Sequence, residues 1–201
     1  MIHRICLAAN EYKQNLDGKQ FLILFEGEYI EVTFKKEHFL HLCGVGTKLF
    51  SKDFYKKSAN YSLTKNEIIF NSVHPYDLAD IKTNNLNTAF NIFRKESLIV
   101  TDITTHTYNY KLGATDLDIL ICFDYDRDKN GNKTSDVLIP YSLRVENIAN
   151  SKYNKIYEID YVLSKCNGSK SYTKIEFGEV SQLQQYLTDK NLTGFSINIS
   201  N

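Results

Sequence analysis

The sequence contains no tryptophan, only two prolines and no long run of apolar residues. A helix that spans a membrane needs roughly 18 or more consecutive apolar residues, so the chain is not predicted to cross a membrane. Its first ten residues are only weakly apolar, and Glu11 and Lys13 follow them directly. We therefore expect no signal peptide, no membrane partner and a cytoplasmic location.

An excess of charge of either sign is also absent. Lysine and arginine together number 24, as do aspartate and glutamate, so the formal net charge is zero. A nucleic-acid-binding surface would therefore depend on local segregation of charge. The four cysteines (Cys6, Cys43, Cys122 and Cys166) show none of the short spacings of disulfide or zinc motifs. We expect them to be reduced core residues, and no metal or cofactor is indicated.

What is present is ordinary globular composition, with 42% hydrophobic residues in 201, enough for one substantial core. Helical periodicity dominates the first half and alternating, strand-like patterns dominate the second, which favours an α+β fold with a mainly antiparallel sheet. We predict a single domain, 1–201, divided as follows: an N-terminal helix and hairpin 1–45, a helical region 46–96, an antiparallel sheet 97–178 and a C-terminal helix 179–190.

Two histidines follow a predicted hairpin near the N-terminus. The runs 21–25 and 29–34 flank Glu26-Gly27-Glu28 and are typical of two strands joined by a glycine turn. His38 and His41 come next, three residues apart, which would put both imidazoles on one side of a helical turn. A histidine can accept and donate a proton near neutral pH. A metal site would need further ligands, and His74 and His106 are distant in sequence; a structural role is the alternative.

A second group of candidate residues follows a proline in a predicted strand. Pro140 within the run 137–143 indicates an edge, a bulge or a strand end. Alternation puts Ser142 and Arg144 on one face, where a hydroxyl beside a guanidinium could bind phosphate. The alternative is an edge strand with a polar outer face. Lys111, two residues before Gly113, is a further candidate.

The segment 124–131 resembles a calcium-binding loop in part. Asp126, Asp128, Asn130 and Gly131 match the first, third, fifth and sixth positions of an EF-hand, but its twelfth position is Val137 instead of glutamate. The Asn-Gly pair is also a strong signal for a hairpin turn. We predict a solvated hairpin here.

Two segments together resemble a known family, the phage branch of the barnase–EndoU–colicin–RelE-like nuclease domains. The resemblance extends over roughly residues 20–165, and its motifs are short. The matching residues are Phe34, Phe39, His41, Leu42 and Gly44, and later Pro140, Ser142 and Leu143. The family implies N-terminal helices packed on an antiparallel sheet of four or more strands.

The resemblance also implies metal-independent cleavage of RNA, in which a ribose 2′-hydroxyl attacks the adjacent phosphate. Such chemistry needs a general base, a general acid and donors for the charged transition state. His41 would then be the base or acid, Lys111 or Arg144 would stabilise the phosphate, and Ser142 would donate a hydrogen bond to it. His38 is not required by the family pattern. Cys43 stands where relatives commonly have a small hydroxyl residue, which leaves its role open.

Proteins of this kind include anti-CRISPR inhibitors from mobile elements that shorten guide RNA. The implied partner is therefore RNA, specifically a guide RNA in complex with a CRISPR effector. A protein of zero net charge could bind such a protein–RNA complex more readily than it could bind RNA alone. The alternative is a catalytically inactive binding module that occludes a host defence protein through its basic and aromatic segment 48–57.

Overall fold

The computed structural model describes residues 1–105 and 108–199. Five α-helices and thirteen strands occur in these ranges. The helices are α1 Ile2–Asn15, α2 Phe39–Cys43, α3 Ser51–Ala59, α4 Tyr76–Ala89 and α5 Val180–Asp189. The strands are β1 Lys19–Phe25, β2 Glu28–Thr33, β3 Gly46–Thr47, β4 Ile68–Ile69, β5 Leu98–Thr104, β6 Asn109–Thr115, β7 Ile119–Arg127, β8 Lys133–Val145, β9 Ile156–Glu158, β10 Tyr161–Cys166, β11 Ser171–Tyr172, β12 Lys174–Phe177 and β13 Ser196–Ile197.

Nine of the strands form one sheet in the order β12-β10-β1-β2-β8-β7-β6-β5-β9. All of its neighbouring pairs are antiparallel except β2 with β8, which are parallel at Val32 and Leu138. The predicted α+β class with a mainly antiparallel sheet is confirmed. The N-terminal hairpin, β1–β2, is also confirmed, and Glu26 and Gly27 both adopt the positive φ of a tight hairpin turn. This hairpin belongs to the same sheet as the later strands.

Helices α1 to α4 cover one face of this sheet, which we call the front face. Tyr12 of α1 lies at the centre of the layer, fully buried, with the rings of Phe34, Phe39, Tyr55 and Phe90 within 6.1 Å of its own. Its hydroxyl donates to the Lys35 carbonyl at 2.8 Å, so the polar tip is satisfied. This contact fixes the segment that leads from β2 into α2.

The buried side of α4 differs from the predicted one. Within the predicted helical region, apolar periodicity predicts that Leu78, Ile81, Leu86, Phe90 and Phe93 share one face, but Leu78 is 44% and Ile81 47% exposed. The helix instead buries Ala79, Lys82, Thr83, Leu86 and Ala89. Small residues on this side let α4 approach α1, where Arg4 pairs with Asp80. The prediction was wrong because it considered only large apolar side chains. Small side chains are also buried where two helices pack closely together.

The second half is confirmed as strand-rich, with two corrections. The sequence pattern of 153–163 predicts one strand of the sheet, but the structure has two strands there because the chain turns at Asp160. The Asp160 carboxylate accepts from the Glu26 amide at 2.8 Å and from the Tyr186 hydroxyl at 2.7 Å. β9 therefore pairs with β5, and β10 with β1. The predicted strand 105–112 corresponds to β6, and His106 and Thr107 within it lie outside the described residues.

The predicted irregularity at Pro140 is confirmed. Cys122 pairs with Ser142 and Phe123 pairs with Pro140, so Tyr141 is the extra residue of a bulge in β8. At this point β8 is no longer paired with β2, and α2 contacts it instead.

Of the helices in the described residues, none is long and apolar enough to cross a membrane.

Candidate active site

Ser142 and Arg144 lie on the face of the sheet opposite to helices α1–α4. Ser142 is paired with Cys122 and Arg144 with Leu120. Their common face, which we call the back face, is defined by a separate buried cluster in this part of the sheet: Val100, Ile103, Tyr110, Leu120, Cys122 and Ile148. The prediction that Ser142 and Arg144 share one face is therefore confirmed.

A two-point ion pair fixes Arg144. Its Nε donates to Oε1 of Glu146 at 2.5 Å and its Nη2 donates to Oε2 at 3.0 Å. The Ser151 hydroxyl also donates to Glu146, at 3.1 Å. The ion pair raises the pKa of Arg144 and lowers that of Glu146. Both groups therefore stay charged at neutral pH, and a guanidinium held in this way is pre-oriented for an anion.

Tyrosines line the back face next to Ser142. Tyr110 is nearly buried, and burial raises its pKa while the neighbouring Ser142 hydroxyl lowers it. The ring of Tyr108 lies 4.8 Å from that of Tyr110 and is stacked on that of Tyr141 at 5.8 Å. The Tyr108 hydroxyl donates to Asp124 at 3.0 Å. Aromatic faces of this kind can stack nucleic-acid bases.

His41 lies in a different region, at the point where α2 meets β8. A cavity of about 320 Å³, which we call the histidine pocket, is lined by Lys35, Glu37, His38, His41, Asp126, Ile139, Pro140 and Tyr141. Phe39 and Leu42 are buried in the core, as the sequence pattern predicts for this turn. The imidazole of His41 is thus presented at the surface by a short helix whose apolar side is anchored.

The two histidines of the pocket differ in environment. His38 ends a short 3₁₀ turn and is buried, and its Nδ1 accepts the Lys35 amide at 3.2 Å. Burial lowers its pKa to about 4, which fits a structural role. His41 is exposed, but partial desolvation, and secondly the neighbouring His74, lower its pKa. His41 is therefore neutral at pH 7 and able to accept a proton.

Lys111 is engaged elsewhere. Its ammonium pairs with the Asp102 carboxylate at 2.8 Å, and Asn154 donates to the same carboxylate at 3.3 Å. The hydrogen bond from Lys111 lowers the pKa of Asp102, and Asp102 raises that of Lys111. Among the hydrogen bonds and ion pairs of residues 1–105 and 108–199, none joins Lys111 to His41, Ser142 or Arg144. Ser142 and Arg144 thus share one face of the sheet, whereas the Lys111 ammonium is held by Asp102.

The sequence did not single out Lys82 as a residue of interest. It lies on the buried side of α4 and is only 8% exposed, and Arg144 is one of the groups that lower its pKa, after desolvation. The available signal was its spacing, since Ala79, Lys82 and Leu86 follow the i, i+3, i+7 pattern of a buried helical stripe. A lysine in such a stripe is unusual.

Tyr141 borders both regions. It lines the histidine pocket and also packs against the back-face cluster. Its hydroxyl donates to the Tyr125 carbonyl at 3.3 Å, which fixes the ring at the bulge. A ligand that contacts Tyr141 could therefore extend to either region.

The predicted hairpin at 124–131 is confirmed, since β7 and β8 are joined there. The Asp128 carboxylate accepts the backbone amides of Asn130 at 2.8 Å and Asn132 at 2.9 Å, as in an Asx turn. Those hydrogen bonds lower the pKa of Asp128. The Asp128 carboxylate therefore stabilises the turn by accepting these two hydrogen bonds.

The sequence model of one family matches residues 4–180, and its description is phage-Barnase-EndoU-ColicinE5/D-RelE like nuclease. The chain belongs to this family. No curated protein and no solved structure is similar enough to count as a match.

Proposed function

We propose that the protein is an endoribonuclease that cleaves RNA without a metal, by attack of a ribose 2′-hydroxyl on the adjacent phosphate. The observation that supports this most strongly is the Arg144 guanidinium, which Glu146 fixes at two points beside the hydroxyls of Ser142 and Tyr110. Such donors stabilise the extra negative charge of a phosphorane-like transition state. The nuclease family of the chain supports the same class of reaction.

The proton transfers follow from the ionisation states. Neutral His41 takes the proton of the 2′-hydroxyl while the 2′-oxygen bonds to phosphorus. The bond from phosphorus to the 5′-oxygen then breaks, and the 5′-oxygen must receive a proton. Tyr110 keeps its proton at neutral pH, because burial raises its pKa, and is the candidate donor. The products are a 2′,3′-cyclic phosphate and a 5′-hydroxyl.

The substrate would cross β8 at its bulge. Arg144 lies three residues beyond Tyr141, about 10 Å along an extended strand, and Tyr141 lines the histidine pocket that contains His41. An RNA strand over Tyr141 would have His41 on one side and Arg144 on the other. Lys111 could reach a phosphate only after its ion pair with Asp102 opens.

The proposed substrate is the guide RNA of a CRISPR effector. A chain of zero net charge has little general attraction for RNA, so recognition of an RNA already bound to a protein would add contacts that bare RNA lacks. This role would suit a protein of a mobile genetic element.

An inactive module that occludes a defence protein is the second candidate. It is favoured by Phe50, which is 83% exposed at the start of α3, with the exposed Lys52 beside it. Aromatic side chains are enriched in protein interfaces.

A single set of reactions distinguishes the two candidates. A guide RNA, free or bound to its effector, is incubated with the protein in the presence and absence of EDTA, and the RNA is then resolved on a denaturing gel. Shortened RNA that persists in EDTA supports the metal-independent nuclease. Intact RNA with an inhibited effector supports occlusion and would overturn the nuclease proposal.

A further inference from the structure

The sheet divides into two hairpins at the end of β6 and β7 that lies away from their connecting turn. The last pair between these strands toward that end is Leu112 with Phe123. Beyond it, β6 stays paired with β5, and β7 stays paired with β8. In the described part of the sheet, segments 109–111 of β6 and 124–127 of β7 are therefore not paired with each other. We call the opening between these two segments the fork.

A change of face in β6 accounts for the fork. Leu112 packs in the core of the front face, whereas Tyr110 belongs to the buried cluster of the back face. Residues two apart in a regular strand lie on the same face, so β6 turns over between them. Asp102, at the same level of the partner strand β5, has a φ of 50°, in the left-handed region. The end of the β5–β6 hairpin is therefore twisted relative to β7.

The fork contains a cavity of about 360 Å³, which is within the size range of small-molecule sites, roughly 300–1,000 Å³. Two carboxylates, two cations and two tyrosine rings line it: Asp102, Asp124, Lys111, Arg127, Tyr110 and Tyr125. The formal charges of these groups sum to zero at neutral pH, and Asp102 already pairs with Lys111. A neutral aromatic ligand with polar edges complements such a lining, and a nucleobase is a ligand of this kind.

Asp124 has unused capacity to accept hydrogen bonds in the fork. This residue is only 6% exposed. Its Oδ1 accepts the Tyr125 amide at 2.7 Å, and its Oδ2 accepts the Tyr108 hydroxyl at 3.0 Å. None of the ion pairs of residues 1–105 and 108–199 involves it. Because each carboxylate oxygen can accept two hydrogen bonds, both oxygens can accept a further N–H donor.

The stacked tyrosines connect the fork with the candidate phosphate-binding groups. Tyr108 is 40% exposed, and its ring lies 5.8 Å from that of Tyr141 with 14° between the ring planes. Its hydroxyl contacts Asp124, and Tyr141 directly precedes Ser142 in β8. A base stacked on Tyr108 would therefore have its polar edge near Asp124 and its phosphate toward Ser142.

We propose that the fork binds a guanine base, with Tyr108 stacked on its ring and Asp124 accepting hydrogen bonds from its N1–H and its 2-amino group. Guanine carries these two N–H donors side by side on its Watson–Crick edge, the edge by which unstacked bases are commonly recognised. Adenine and cytosine place one amino group beside an acceptor, and uracil places one N–H between two acceptors. That the guanine belongs to an RNA substrate rests on the proposed function, whereas its binding can be measured alone.

The test uses short, fluorescently labelled strands of 2′-deoxyuridine with guanine, adenine, cytosine or uracil at the central position. These strands lack the 2′-hydroxyl that the proposed reaction needs, and their binding is measured by fluorescence anisotropy. Wild type should bind the guanine strand about tenfold more tightly than the uracil strand. Asp124→Asn should lose this preference, because one acceptor oxygen becomes a donor amide. The matched control is Asp118→Asn, which changes an exposed carboxylate in the turn between β6 and β7 and should keep the preference.

The absence of a guanine preference in wild type, or an unchanged preference in folded Asp124→Asn, would overturn the proposal. A change in the ligand covers the case in which Asp124→Asn does not fold. Inosine in place of guanine removes the 2-amino donor and should weaken binding to the wild-type protein about tenfold. Equal binding of the inosine and guanine strands would contradict the site.

The outcomes also separate the two proposals. A guanine preference that depends on Asp124, without cleavage of RNA, would contradict only the nuclease. Cleavage of RNA without any guanine preference in binding would contradict only the base-binding site in the fork.

Discussion

The histidine pocket and the back face border the same strand, β8, but they hold their ionisable groups in opposite ways. On the back face, Arg144 and Glu146 fix each other's charge. In the pocket, none of the ion pairs of residues 1–105 and 108–199 involves His41, and desolvation lowers its pKa, which favours the neutral imidazole. A reaction that moves a proton while negative charge develops needs both kinds of group. In the proposed reaction, the histidine pocket would move the proton and the back face would stabilise the charge.

Removal of the Arg144 guanidinium should have the largest effect on RNA cleavage. We expect Arg144→Ala to lower the single-turnover rate of RNA cleavage by about 100- to 1000-fold, and Arg144→Lys to recover little of it, since lysine cannot form the two-point contact with Glu146. The matched control is Arg127→Ala, which removes an exposed arginine that donates to the Gly131 carbonyl. Cleavage at the wild-type rate by a folded Arg144→Ala variant would remove the back face from the mechanism.

Loss of the proton acceptor should have the next largest effect. His41→Ala should lower the cleavage rate by about 100-fold or more at pH 7, while His3→Ala, an exposed histidine on α1, should not. Because a protonated imidazole cannot accept a proton and desolvation lowers the pKa of His41, the acid limb of the wild-type pH–rate profile should lie below pH 6.5. If His41→Ala cuts RNA normally with an unchanged acid limb, the pocket is not part of the reaction.

The buried histidine of the pocket should affect stability. His38 has a pKa of about 4 in the folded protein against an ordinary value of 6.5, so between these values the unfolded chain binds more protons. Acidification from pH 6.5 toward 4 should therefore lower the free energy of unfolding, by up to about 3 kcal/mol from this residue. His38→Asn removes this titration and can still accept the Lys35 amide. Urea unfolding at pH 7 and pH 4.5 should show a smaller loss in the variant, and equal losses would contradict the assignment.

The smallest effect is expected at Lys111. Its ion pair with Asp102 is exposed, and such pairs contribute about 0–1 kcal/mol. Lys111→Met should therefore change the cleavage rate by less than about threefold and the unfolding free energy by less than about 1 kcal/mol. A large loss of cleavage with unchanged stability would instead bring Lys111 into the reaction centre, as the family resemblance implied, and would weaken the contrast between the two regions.

The features that could be predicted from the sequence are those that depend on a few neighbouring residues. The hairpin at Gly27 and the bulge at Pro140 each follow from a backbone preference of one or two residues. Alternation along β8 was enough to put Ser142 and Arg144 on one face.

Features that depend on contacts distant in sequence could not be predicted. The partner of Lys111 is Asp102, and their proximity requires the register of β5 with β6. The burial of Lys82 was not predicted because it depends on the packing of α4 against Gly44, which is distant in sequence. The buried side of α4 was misjudged because Ala79 and Thr83, at the contact with α1, are small.

The most direct test of the account is the chemistry of cleavage. An RNA substrate and the same RNA with a single 2′-deoxynucleotide at the cut site are incubated with the wild-type protein in EDTA, and the product ends are identified by mass. If the 2′-hydroxyl is the nucleophile, the RNA yields a 2′,3′-cyclic phosphate and a 5′-hydroxyl, and the deoxy substrate is not cut at that site. Equal cutting of the deoxy substrate, or cutting that EDTA abolishes, would contradict it.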